Sequence, residues 1–193
     1  MKVSREKAAE HREALVTAAS RLFREQGIDG VGVADISKAA GLTHGALYAQ
    51  FESKQALAAE ALSQGLRRAE VPMKKAADEG GLGACLDFYL SPRQRDNLAG
   101  GCAMAASASE IARQDVSIST EFAGGFERMA AIIEATLKRE LPQKSRRQRA
   151  ISITASLIGA VAASRAVAKS DPRFANEIIA AARHALERLG GER

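Results

Sequence analysis

Most side chains in this sequence that could recognise another molecule fall between Thr43 and Lys54. Thr43 offers an oxygen where a helix would begin, and the backbone N–H groups of that first turn can hold a phosphate at a positive helix terminus. His44 offers a ring N–H donor, Ala46 a small apolar surface, and Gln50 both a donor and an acceptor. Elsewhere reactive residues are sparse. Cys85 and Cys102 form no CxxC pattern and the three histidines are scattered, which argues against a zinc site or a disulfide scaffold. Cys102 follows two glycines near an expected helix start, so its thiol is a candidate redox or electrophile sensor. A buried, inert cysteine fits the same pattern. No known motif suggests a Gly-rich phosphate loop, a metal-ligand cluster, or a Ser-His-Asp or Cys-His pairing. The expectation is a binding protein, with no enzymatic activity, cofactor or metal.

Two short helices must position the Thr43–Lys54 groups. Val33, Ile36 and Ala40 recur at i, i+3 and i+7 and share one face of the first. Gly41 suits the left-handed conformation that ends it, and Thr43 caps the second. Leu47 and Phe51, four apart, give the second helix a buried stripe. Two helices joined through a Gly-containing turn form a helix-turn-helix, whose second member can enter the DNA major groove. An ordinary helical hairpin has the same spacing. A preceding helix opening after Ser4 carries Leu15, Ala18, Ala19, Leu22 and Phe23 on one face and stops at Gly27.

The run Ala34-Asp35-Ile36, Ala39-Ala40-Gly41-Leu42-Thr43, Gly45-Ala46-Leu47-Tyr48, Phe51 and Ser53-Lys54-Gln55-Ala56-Leu57 resembles the DNA-binding signature of the TetR/AcrR family of bacterial regulators. The resemblance reaches back to Ala18-Ala19, Leu22-Phe23 and Gly27. It covers the N-terminal part of the chain. It implies that Tyr48 and Lys54 contact DNA phosphates, that Gly45 lets the duplex backbone come close, and that His44 and Ala46 face bases, where His44 could donate to guanine N7 or O6 and Ala46 touch a thymine methyl, with Gln50 able to bond to phosphate or adenine. Gly32 departs from the pattern, standing where the family usually has Ser or Thr, so a hydroxyl cap and its phosphate contact are missing.

The net charge of +5 permits a nucleic-acid partner without demanding one. Residues 1–54 hold eight Lys/Arg against seven Asp/Glu, and much of the excess lies at Arg67, Arg68, Lys74, Lys75 and between Lys138 and Arg149. DNA binding must therefore rest on placed contacts. Aromatic residues are only 4% and tryptophan is absent, while alanine is abundant, a composition suited to close-packed helices. The N-terminus has no apolar signal segment, and the run Ala150–Ala168, interrupted by Ser152, Thr154, Ser156, Ser164 and Arg165, falls short of a clear membrane span, so a cytoplasmic protein without a membrane partner is expected.

Ser53 should cap a long fourth helix with Leu57, Ala58, Ala61, Leu62, Gly65 and Leu66 inward, ending or kinking near Pro72. Asp78–Gly83 marks a break. A short helix with Phe88 and Tyr89 follows, then a turn opened by Ser91-Pro92. An Ala-rich helix after Gly100-Gly101 and a well-phased helix from Ile118 to Leu137 come next. The resemblance places an inducer pocket in this region, where Phe88, Tyr89, Met104, Phe122, Phe126 and Met129 are the candidate lining residues and Glu110 and Arg113 candidate rim charges. Met or Phe at helical spacing is equally the mark of plain core. Ser145–Lys169 is helical and apolar on nearly every face between Ile151 and Val167, and the helix opened by Asp171-Pro172 carries Phe174, Ile178, Ile179, Ala182, Leu186 and Leu189. The resemblance implies that this pair forms a four-helix bundle with a second copy, and the apolar pattern, too extensive for one chain to cover, makes Ile158, Val161, Ile178 and Ala182 the expected dimer interface.

The reading is an all-α chain of about nine helices. Residues 1–52 would form a three-helix DNA-binding domain, and residues 53–193 a helical ligand-binding and dimerisation domain. Its expected role is that of a repressor, binding a pseudo-palindromic double-stranded DNA operator as a homodimer and released by a small-molecule inducer. Two alternatives stay open: a thiol-sensing regulator using Cys102, and a helical interaction module without specific DNA binding.

Overall fold

Side-chain caps begin most of the helices. The structure, a computed structural model, describes residues 4–191; the outer ends of the two expected domains, residues 1–3 and 192–193, lie outside it. Ser4 accepts a hydrogen bond from the Lys7 N–H and starts α1 (Arg5–Gln26), which ends at Gly27 with φ 79°. α2 (Val33–Ala39) starts at Gly32, which has no side-chain oxygen for the first helical N–H groups; the other half of the cap is present, with the Asp35 carboxylate accepting from the Gly32 N–H at 3.2 Å. Gly41 takes φ 68°, the left-handed turn before α3 (His44–Tyr48). Ser53 caps α4 (Lys54–Tyr89), Ser91 caps α5 (Pro92–Asp96), Cys102 heads α6 (Ala103–Ile111), and Asp115 caps α7 (Val116–Thr136). α8 (Gln143–Val167) follows Pro142, and Asp171 caps α9 (Pro172–Gly190). The described residues contain nine helices and no strand, so the chain is all-α.

Leu15, Ala19 and Leu22 of α1 meet Ile36, Leu47 and Phe51 in a buried core that continues into Leu57, Ala58 and Ala61 of α4. α4 then packs along α7, and α8 along α9. α8 is long and apolar enough to cross a membrane by length and composition. Ile153, Leu157 and Val161 are nevertheless sealed within the fold, as expected of a core helix.

The fourth helix departs from expectation at Pro72. Proline removes one helical hydrogen bond and crowds the preceding turn, yet the helix continues past it, with Met73 fully buried beside it. The break falls at Gly80 (φ −148°, ψ 19°) and Gly81 (φ 61°, ψ −149°), inside the stretch Asp78–Gly83 where one was expected. Two adjacent glycines lower helix propensity twice, and Gly81 adopts a positive φ that a side chain would resist.

Candidate nucleic-acid interface

α3 is short, and its geometry comes from its two anchors. Leu47 is fully buried and Phe51 nearly so, which turns the opposite face outward. Thr43 Oγ1 accepts from the Ala46 N–H at 3.2 Å, and the Thr43 carbonyl takes the same donor at 3.0 Å. That N–H is therefore spent, whereas those of His44 and Gly45 meet no acceptor among the described residues. His44 and Gly45 are exposed, Ala46 and Gln50 half-buried, and Tyr48 is 51% exposed. An aromatic ring so open has a hydroxyl available to a partner. The His44 and Tyr48 rings lie edge to face with centroids 5.1 Å apart, so each limits the other's orientation. Half-exposed Lys54 opens α4 close behind the same surface. The residues expected between Thr43 and Lys54 thus lie on contiguous elements, with their polar ends toward solvent or half-covered.

Arg12 escaped the sequence reading. Its guanidinium lies over the Phe51 ring, 4.2 Å from the centroid, donates through Nη1 to the Gln50 carbonyl at 2.6 Å, and pairs with Glu60 of α4. One side chain of α1 thereby holds the end of the recognition segment against α4. No local motif marks it, because its partners lie about forty residues or more away.

The remaining candidates are dispersed. Tyr89, Met104 and Met129 sit in the core, while Phe122 and Phe126 are half-buried against it. Phe88, also half-buried, borders a cleft of about 400 Å³ between α1, α4 and α5. Cys102 is buried, and its sulfur lies 2.6 Å from the Tyr89 hydroxyl and 3.4 Å from the Ala105 N–H. Burial, followed by the Cys102 sulfur, pushes the Tyr89 pKa well above its ordinary value. Glu110 faces the other way from the expected rim. It accepts from the Asp29 N–H at 2.9 Å, and Gln114 Nε2 donates to Asp29 Oδ2 at 3.0 Å, tying α6 to the α1–α2 loop. Arg113 folds back on the Ser109 carbonyl.

Two of the four expected interface residues, Ile158 and Val161, need correction. Val161 is fully buried and Ile158 almost so, both within the chain's own core, because α8 turns them toward its neighbours inside the chain. The outer face of α8 instead carries Ile151, Ala155, Gly159, Ala163 and Ala166, all exposed. On α9, Ile178 and Ala182 are half-buried, and Phe174, Ala181 and Ala185 are exposed.

Residues 15–61 match the family model for bacterial regulatory proteins of the tetR family. The HTH-type transcriptional repressor Rv1474c of Mycobacterium tuberculosis is 34% identical over 145 residues, which cover 74% of this chain and 71% of that protein. The HTH-type transcriptional regulator AcrR of Shigella flexneri is 39% identical over 57 residues, a match spanning 30% of this chain and 26% of AcrR. The crystal structure of a TetR-family transcriptional regulator from Agrobacterium tumefaciens has the same fold, with a TM-score of 0.77 at 23% identity over 94% of this chain and 98% of that one. The chain therefore belongs to the TetR family of bacterial transcriptional regulators, which are DNA-binding proteins rather than enzymes.

Proposed function

We propose that this regulator is a cytoplasmic repressor that binds a pseudo-palindromic operator as a homodimer and lets go when a small molecule occupies its larger domain. Residues 1–52 would serve as the reading domain and residues 53–193 as the ligand-binding and dimerisation domain. The observation that carries the reading is α3 itself, where Leu47 and Phe51 fix a helix whose His44 and Tyr48 remain open to solvent. In this reading Tyr48, Lys54, Thr43 and the N–H groups of His44 and Gly45 hold phosphates. His44 and Ala46 face bases, and Gln50 bonds to phosphate or adenine.

One such helix contacts too few base pairs to specify a genomic site, so two must be held at major-groove spacing. The exposed small-residue face of α8, together with Phe174, Ile178, Ala181 and Ala185 of α9, suits a symmetric four-helix contact. Gly159 fits this role. A Cβ built there meets nothing within 4 Å inside the chain, although glycine inside a helix is about 1 kcal/mol less favourable than alanine. Binding site selection from random duplexes, followed by titration in rising salt, tests the function. A palindromic consensus bound with a steep salt dependence is expected. Recovery of no consensus, with equal affinity for all duplexes, would refute the operator-specific repressor reading.

A further inference from the structure

The cleft beside Phe88 gathers positive charge, with no acid among the side chains that line it. Its lining includes Arg24 from α1, Arg68 from α4 and Arg93 from α5, with Phe88, Pro72 and Ala69 forming an apolar wall. Arg24 donates through Nε to the Ala99 carbonyl at 2.6 Å and through Nη1 to Ser20 Oγ at 2.8 Å, and it has no ion-pair partner among the described residues. Arg93 is exposed and likewise forms no ion pair there. Arg68 meets Glu13 at 3.3 Å, but both side chains are more than half exposed, which makes that pair weak. Arg165 lies behind the cleft, occupied with the carbonyls of Arg95 and Gln94. It adds charge there but few free donors.

Two glycines make room for these guanidinium groups. A Cβ at Gly65, inside α4, would stand 2.9 Å from Arg24 Nη1, and one at Gly101 would meet the Asn97 carbonyl first and then Arg165 Nη2 at 2.5 Å. Alanine at Gly65 would favour the helix by about 1 kcal/mol while displacing Arg24 from its seat. Burial, and next the charge of Arg68, lowers the Arg24 pKa, with Glu25 opposing the shift without reversing it.

We propose that this cleft binds a small organic anion, its acidic group held by Arg24, Arg68 and Arg93 and its apolar body laid against Phe88, Ala69 and Pro72. Arginine forks suit carboxylate or sulfonate oxygens. The volume of about 400 Å³ exceeds the needs of an inorganic ion and falls within the range of small-molecule pockets. Because Arg24 belongs to α1 and the other two to α4 and α5, one bound anion would tie the reading helices to the larger domain. This names the ligand class for the inducer reading above, and only its consequence for DNA rests on that reading.

The test uses 2-naphthoate and its neutral isostere 2-naphthamide with the full-length protein, whose lack of tryptophan leaves naphthyl fluorescence clear. At physiological salt, wild type should bind naphthoate roughly tenfold more tightly than naphthamide. Arg68→Gln/Arg93→Gln should erase that preference, and Arg93→Gln alone, at an exposed site, should reduce it with the fold intact. Failure of naphthoate to bind wild type, equal binding of the two probes, or unchanged naphthoate affinity in Arg93→Gln and the double variant would each overturn the proposal. An operator titration with naphthoate bound separates the two readings. Charge-selective binding that leaves the operator complex intact keeps the cleft assignment and refutes the inducer role.

Discussion

α3 and α8 both leave a face uncovered, and the two faces could hardly differ more. α3 turns out an imidazole, a phenol and unspent N–H groups beside Lys54, while α8 turns out mainly small residues, three alanines, a glycine and two serines, with Ile151 at its start. Polar groups at a positive helix end suit a charged groove that must be read, since hydrogen bonds discriminate between bases. Small apolar groups carry almost no such information. They let two backbones approach and bury area, which suits a copy of the same surface. In the proposed dimer, sequence discrimination therefore belongs to a few residues of one helix and its geometry to the packing of two others.

Substitutions can break this contrast, and the largest effect is expected from the inner side of α8. Val161→Glu places a carboxylate where the side chain has no exposure. Leaving it unpaired should cost several kcal/mol, on the order of 2–7 for a polar group and more when charged. Thermal melting should show loss of the folded state. Gly159→Arg, on the outer face, should leave the melt of the monomer close to wild type but yield monomers in light scattering, and operator affinity should fall at least about a hundredfold as the paired half-sites are lost. A dimeric Gly159→Arg protein would move the interface away from α8.

The effects at α3 should be smaller and different in kind. His44→Ala should cost about 1–3 kcal/mol at one operator base and little elsewhere; equal losses on every duplex would remove His44 from base reading. Lys54→Ala should weaken operator and random DNA alike and lower the salt slope by about one unit. An unchanged slope would exclude a phosphate contact at Lys54. Smallest of all is the effect expected at Cys102, whose thiol is buried against Tyr89. Mild peroxide should leave wild type and Cys102→Ser equally able to hold DNA, and selective release of wild type would establish the thiol as a sensor.

What the sequence disclosed follows the range of the forces involved. The caps at Ser4, Thr43, Ser53, Ser91 and Asp171 need only donors within three residues, so each was readable locally. The stripe Leu15–Phe23 and the pair Leu47 and Phe51 were likewise legible through helical period. Pro72 misled because helix interruption is decided by what the helix packs against as well as by its own backbone. Periodicity cannot say which side of an all-apolar helix its own chain will cover, which is why Val161 was placed outside. Arg12 and the Arg24, Arg68 and Arg93 cluster could not be foreseen, since their partners are brought together only by the tertiary fold.

The contact between Glu110 and the Asp29 amide has a practical consequence. A single backbone proton of the α1–α2 loop is held by a carboxylate from α6, with Gln114 steadying the same residue. In solution that proton is a native gauge of the attachment between the two halves. Its NMR chemical shift and exchange with deuterium record how often α6 lets go of the loop. Glu110→Gln, which keeps the shape and weakens the acceptor, calibrates the gauge without an added label.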